Sequence, residues 1–172
     1  MRSAAAIGAV MIALAAAACG GSSASPPPQA STARIAGTST DSTAALDLAV
    51  RRALRANYQL SGYVLWHNVL PLDAQRSTRG PALAALRNAA GQRRKSGIRI
   101  RPVTGRLTIA SVVVDPSFTR ATAMTIAIGR VRPYENGHAE PREITVHERA
   151  RVQLHRLGSS QQFIVWQVSV LR

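Results

Sequence analysis

The chain has 172 residues, 22 Lys+Arg against 8 Asp+Glu, and a formal charge of +14. That length is about one domain, and a single cysteine excludes an intramolecular disulfide framework. Only one of the basic residues, Lys95, is a lysine, and the Arg and Ala bias fits a GC-rich genome. The charge alone therefore selects no partner beyond polyanions and anionic headgroups in general.

Arg2 supplies a positive n-region, and Ala4 to Ala18 form an uncharged, mostly apolar stretch of 15 residues. A spanning helix needs about 20 such residues. The stretch reads instead as the core of an export signal ending in small residues, over residues 1–18. The run Ala16-Ala17-Ala18-Cys19-Gly20 resembles a bacterial lipobox, with Ala16 where that pattern prefers Leu. The resemblance implies that the Cys19 thiol carries a diacylglyceryl group. Two acyl chains anchor a protein stably where one holds it marginally, at about 0.8 kcal/mol per buried CH₂. The alternatives are cleavage after Ala18 to give a soluble secreted protein, and a retained short anchor. The expected address is the extracytoplasmic face of the cell membrane. That address argues against nucleic acid as the partner and favours anionic lipid or an anionic wall polymer as the counterpart of the charge. With Cys19 in lipid, a cysteine nucleophile is excluded as well.

Residues 19–43 contain Pro26-Pro27-Pro28 and many Ser, Thr, Ala and Gly, the composition of a flexible tether. A folded domain is expected over 44–172. Its roughly 130 residues suffice for a core without a disulfide or metal staple. Asp41 or Ser42 can cap a first helix, with Leu46, Ala49, Val50, Ala53, Leu54, Asn57 and Tyr58 at helical spacing. Its end is expected near Gly62. The apolar Tyr63 to Leu70 segment either continues as a short helix or lies over the core, and Pro71 ends it. A second helix is bracketed by Pro81 at its first position and Gly97 just past its end. Leu83, Leu86 and Ala90 form its buried stripe. Arg93, Arg94 and Lys95 crowd its last turn, as helix-dipole chemistry on a solvated face or as a contact for anionic headgroups.

After Gly97 the period changes to two. Arg106 to Val114 reads as a strand, and Met124, Ile126 and Ile128 alternate with Ala and Thr in the next. Ile144, Val146, Ala150, Val152 and Leu154 alternate with polar residues in a third, half-buried strand. A closing strand from Gln162 to Leu171 places Ile164, Trp166, Val168 and Val170 on one face. Asp115-Pro116, Glu135-Asn136-Gly137 and Gly158-Ser159-Ser160 mark the connections. Helices first and three or four antiparallel strands after them make an α+β fold, with the helices on one face of a curved sheet.

This layout resembles the cone-shaped, NTF2-like α+β superfamily, and more narrowly its uncharacterised actinobacterial secreted proteins and lipoproteins. The segments that carry the likeness are Leu86-Arg87-Asn88-Ala89-Ala90, the basic Arg93-Arg94-Lys95-Ser96-Gly97, the Val-rich strand ending at Asp115, and a C-terminal hairpin from Val152-Gln153-Leu154-His155-Arg156 to Val165-Trp166-Gln167-Val168. The resemblance covers roughly residues 42–172 and implies a pocket between sheet and helices. Members include enzymes and scaffolds, so the fold does not choose a function. The catalytic pairs of the enzymatic members have no counterpart at matching positions.

The search for chemistry is short. No HExxH, Cys/His cluster, phosphate loop or GxSxG elbow is present. His147 and His155 share a strand face but stand about 27 Å apart, so neither a metal nor another cofactor is expected. One acid breaks the pattern: Glu148 lies in the apolar register between Val146 and Ala150. There it is a weak candidate for a general base or a cation-binding group, with Tyr58, Tyr63 or His67 nearby. A bulge turning it outward, or an internal pair with an Arg, is the structural alternative. Tyr58 and Trp166 are candidate ligand contacts, with core packing as the plainer role. The expectation is a non-enzymatic scaffold binding a partner protein or a small apolar ligand. Alternatives are an isomerase- or hydratase-type pocket enzyme using Glu148, and a binder of anionic polymer or headgroups. A homodimer stays open.

Overall fold

The computed structural model describes residues 40–171. The expected export signal, Cys19 and the stretch read as tether up to residue 39 lie outside the described residues. The elements are helix α1 (Thr40–His67), a 3₁₀ turn (Ala74–Arg76), helix α2 (Gly80–Lys95), and strands β1 (Ile98–Val114), β2 (Arg120–Glu135), β3 (His138–Ala139), β4 (Ile144–Arg156) and β5 (Phe163–Leu171). The strands form an antiparallel sheet in the order β1-β2-β4-β5, with β3 pairing β2. Both helices pack on it, which makes the fold α+β.

Helix α1 begins at Thr40, inside the stretch read as tether, and passes through Gly62 without a break. Leu46, Val50, Ala53, Leu54, Leu60 and Val64 are all buried, so the apolar stripe continues beyond the expected end. The helix stops where Asn68 takes a left-handed conformation (φ 55°) and donates its backbone N–H to the Val64 carbonyl at 3.0 Å. Helix α2 is bounded as its sequence signals predict, with Pro81 in the first turn and Gly97 left-handed (φ 70°) after it.

Arg93 departs from the expectation of a solvated basic turn. Its side chain is 2% exposed. The guanidinium donates to Asn68 Oδ1 at 3.0 Å and to the Val64 carbonyl at 3.2 Å. Asn68 in turn donates to the Ile98 carbonyl at 2.6 Å. This chain of bonds ties the end of α1, the last turn of α2 and the start of β1 together, and it places a cation at the negative end of the α1 dipole. Burial pulls the Arg93 pKa down from its ordinary value.

The strands are longer than expected. β1 starts at Ile98 rather than Arg106, and its pairing with β2 slips between Pro102 and Thr104 and again between Ile109 and Ser111. Such bulges bend a strand and increase local twist. At the first bend Gly105 pairs with Gly129, and a Cβ on Gly129 would collide with the Thr104 carbonyl. The two backbones therefore approach more closely there than side chains allow. The hairpin into β3 turns on Asn136 and Gly137, both at positive φ (51° and 88°), the pattern of a type I′ turn.

A further correction concerns β5. Its pairing with β4 slips between Gln153 and Leu154, so Leu154 opposes Val165 and Gln153 opposes Gln167, leaving Trp166 as the extra residue. Val165, Val168 and Val170 consequently share the inner face, and Ile164 and Trp166 do not join them. The outer edge of β5 is covered by the segment before α2: the Val165 N–H donates to the Ser77 carbonyl and the Val165 carbonyl accepts from the Arg79 N–H, both at 2.9 Å. That segment removes an open sheet edge.

Candidate functional site

The inner sheet face and the two helices enclose a cavity of about 690 Å³. Its origin lies in residue size. β4 carries the strong apolar alternation, and its Val152 and Leu154 are buried in the main core. The pairing Ala123↔Val152 and Ala127↔Glu148 then fixes which face of β2 turns inward. That face is Ala121, Ala123, Thr125, Ala127 and Gly129, whereas Met124, Ile126 and Ile128 point to the other side, Ile128 being 48% exposed. Small residues from the helices, among them Gly62, Ala82 and Ala85, face the same space. Beside the first half of α1 larger side chains fill the core: Phe163, Val50, Leu54 and Leu154 belong to one buried cluster, with Leu54 at the border of the cavity. Toward Glu148 the sheet presents Ala127, Ala150 and Gly129, and a void stays open.

Glu148 belongs to the lining, in the inward register that the sequence indicates. No bulge turns it outward: β2 and β4 pair without a slip from Arg120↔His155 to Val131↔Ile144. Among the described residues it has no ion pair. Its same-face neighbours are Val146 and Ala150 along the strand and Ala127 across it. Burial raises its carboxyl above the ordinary glutamate value. Among the described residues it is the only charged one of the lining, and no described basic residue lines the cavity.

Tyr58 lines the cavity from α1, and its hydroxyl rests against Gly105, where a Cβ would collide with it. Gly105 is two strands across and two residues along from Glu148, about 12 Å of sheet. The cavity thus holds a phenol and a carboxyl in a mostly apolar lining that also includes Asn57, Ser61, Thr125 and Gln167.

The other candidates fall elsewhere. Trp166 stacks flat on His155, ring centroids 4.6 Å apart and planes at 6°, and abuts Gly80. The bulge leaves it outside the cavity lining, where it packs against His155 and Gly80. Burial, then the charge of Arg120, lowers the His155 pKa. Tyr63 and His67 stack on each other at 4.2 Å, one turn apart on α1, and neither lines the cavity. Among the described residues no group of three or more His, Cys, Asp or Glu is placed to hold a metal. Sequence reading missed Ala127, Gly129 and Gly105, because small residues announce a cavity only once the facing strand and helix are known.

The outer sheet face has the opposite character. The register places Arg106, Arg130, Arg149 and Arg151 there, beside the Met124-Ile126-Ile128 row, whereas Arg101 lies over the Trp66 ring of α1 at 5.9 Å. The acid that answers them is Glu143, paired with Arg132 at 2.7 Å and Arg130 at 3.2 Å. Among the described residues no helix is long and apolar enough to cross a membrane.

No protein-family model and no curated protein matches the chain. Among solved structures, it is similar to the intermembrane space region of the chloroplast protein ARC6, with a TM-score of 0.55 and 13% sequence identity, over 71% of this chain and 93% of that one. At that identity the likeness is one of fold: helices packed on an antiparallel sheet.

Proposed function

We propose that this is a binding module of NTF2-like architecture, held at the extracytoplasmic face of a membrane through lipidated Cys19, which takes a small, largely apolar ligand between sheet and helices. The observation that supports it is the cavity of about 690 Å³, which falls within the usual size of small-molecule sites and is lined mainly by apolar side chains. Binding rather than catalysis is the better reading because, among the described residues, Glu148 and Tyr58 are the only titratable side chains of the lining. A proton-transfer enzyme places its base beside a second group that orients it or stabilises the developing charge. Native mass spectrometry of protein gently extracted from its own membrane tests the reading. A bound small molecule is expected; an empty chain carrying a protein partner instead would replace it with a scaffold role. The anchor has its own test: Cys19→Ser should release the chain from the membrane, and retention would rule lipidation out.

The outer face favours a second reading, contact with anionic headgroups or wall polymer. Its Arg side chains flank an apolar row, the chemistry of a surface that adheres to an anionic interface. Such adhesion should weaken steeply as salt rises; affinity that ignores ionic strength would exclude it.

A further inference from the structure

We infer that the outer sheet face is a membrane contact, and that its occupant is the headgroup layer of an anionic bilayer. The inference rests on the second reading above and names which of that reading's two partners the face takes. Three observations carry it. First, the register sets an arginine beside each apolar residue of the β2 row: Arg106 opposes Ile128, Arg149 opposes Ile126, and Arg151 opposes Met124. Directly opposed side chains lie about 5 Å apart, so one surface offers guanidinium and hydrocarbon together. Second, both are accessible. All three arginines are exposed, and Ile128 is 48% exposed between Arg106 and His147. Third, the face carries an excess of positive charge whichever arginine is paired. Among the described residues, Glu143 is the acid paired to this face, and one carboxylate offsets one of the charges of Arg106, Arg130, Arg149 and Arg151. Residues 1–39 contain no Asp or Glu, so that stretch brings no further carboxylate.

The mixture of groups selects the occupant. A hydrophilic polyanion would answer the arginines and leave Ile126 and Ile128 facing water. A second copy of this chain would cover the isoleucines but bring like charges together. An anionic bilayer answers both: phosphates take the guanidiniums, and the apolar row reaches the boundary between headgroups and acyl chains, as the apolar side of an interfacial helix does. The arginine stems lie along that apolar surface while their heads stay among the phosphates.

The experiment titrates the full chain carrying Cys19→Ser, which takes no acyl chain, at low and at high salt. The probes are vesicles of phosphatidylcholine with phosphatidylglycerol, vesicles of phosphatidylcholine alone, and soluble polyphosphate. Vesicle affinity is read as the excess over phosphatidylcholine alone. The phosphatidylglycerol vesicles should bind at low salt and release at high salt. High salt is therefore also the condition at which Cys19→Ser reports the lipid anchor alone. Arg149→Gln with Arg151→Gln should weaken vesicle binding about 10- to 30-fold. Ile128→Thr keeps a β-branched side chain but removes apolar surface. It should weaken vesicle binding about 3- to 5-fold and leave polyphosphate binding as it was. The variants differ from their parent on this face only, so the differences report the face. If polyphosphate binds as tightly as the vesicles and Ile128→Thr changes neither, the bilayer assignment is overturned and contact with an anionic polymer stands. If the vesicles bind both variants undiminished, the contact lies elsewhere on the molecule and the assignment of this face is overturned. If neither anionic probe binds, or binding ignores salt, the second reading itself falls.

Discussion

Glu148 and Arg93 are both charged residues set into apolar registers, and they differ in what meets them. Arg93 finds two acceptors, Asn68 Oδ1 and the Val64 carbonyl. Replacing it with Met would leave the buried Asn68 Oδ1 without its donor, while the Val64 carbonyl keeps the Asn68 N–H, and should destabilise the fold by about 1–3 kcal/mol; urea denaturation measures this, and a loss near zero would mean that the junction of α1, α2 and β1 does not depend on the guanidinium. The position was visible in the sequence, since Leu83, Leu86, Ala90 and Arg93 continue one stripe at spacings of three and four. The basic triple at a helix end masked it, because Arg at that place is usually dipole chemistry in water. Glu148 stood out more readily: in β4 every second residue faces the core, so one acid in that row has few alternatives. Its carboxyl is held above the ordinary value by burial. The folded chain therefore keeps the proton at pH values where the unfolded chain has lost it. The resulting stability is full below the unfolded pKa, declines as pH rises through the folded pKa, and is constant above it. Measured against Glu148→Gln, the unmodified, ligand-free chain should lose stability with rising pH over that window. A difference that stays flat or grows would show that the carboxylate is satisfied in the fold.

Among the elements, α2 was the most legible and β5 the least. Pro81 and Gly97 act on the backbone directly, so their signals survive any tertiary context. In β5 the alternation of Ile164, Trp166, Val168 and Val170 is real in the sequence, but a single extra residue at the bulge reassigns faces. Nothing in a lone strand reveals a bulge, because it is a property of the pair. β2 shows the related failure: two alternating sets were evident, but which set faces the helices was decided by β4. α1 ran past Gly62 because tertiary burial of Leu60 and Val64 outweighs the weak helix propensity of one glycine. The entry to α2 depends on a different glycine. Gly80 has φ 56°, and a Cβ there would lie 2.8 Å from the Trp166 ring. Gly80→Ala combines an unfavourable left-handed backbone with overlap against that ring, and should cost about 2–4 kcal/mol. A thermal melt checks this; an unchanged midpoint would mean that Trp166 is free to move away and that the bulge is not locked by the α2 entry.

At the scale of the whole molecule, the sheet separates two chemistries that the composition mixes. The strand period sends arginine to one face and small apolar residues with one acid to the other, so in a strongly basic chain the cavity lining holds no basic group among the described residues. That cavity forgoes packing. Ala127 lies between Leu107 and Glu148 in one cross-strand row and could carry a larger side chain if stability alone mattered. Ala127→Leu would place three more carbons in the open space, without touching the buried cluster of Phe163, Leu54 and Leu154. Filling a real void of this kind gains about 0.5–2 kcal/mol, while the added side chain stands beside the carboxyl and blocks a ligand from reaching it. The two effects should therefore oppose each other: the variant melts higher than the unmodified chain when both are empty, and it no longer gains stability from an amphiphile that stabilises the unmodified chain. A lower melting point would mean that the space is already closed by side chains, and retained ligand stabilisation would place the binding site elsewhere on the molecule.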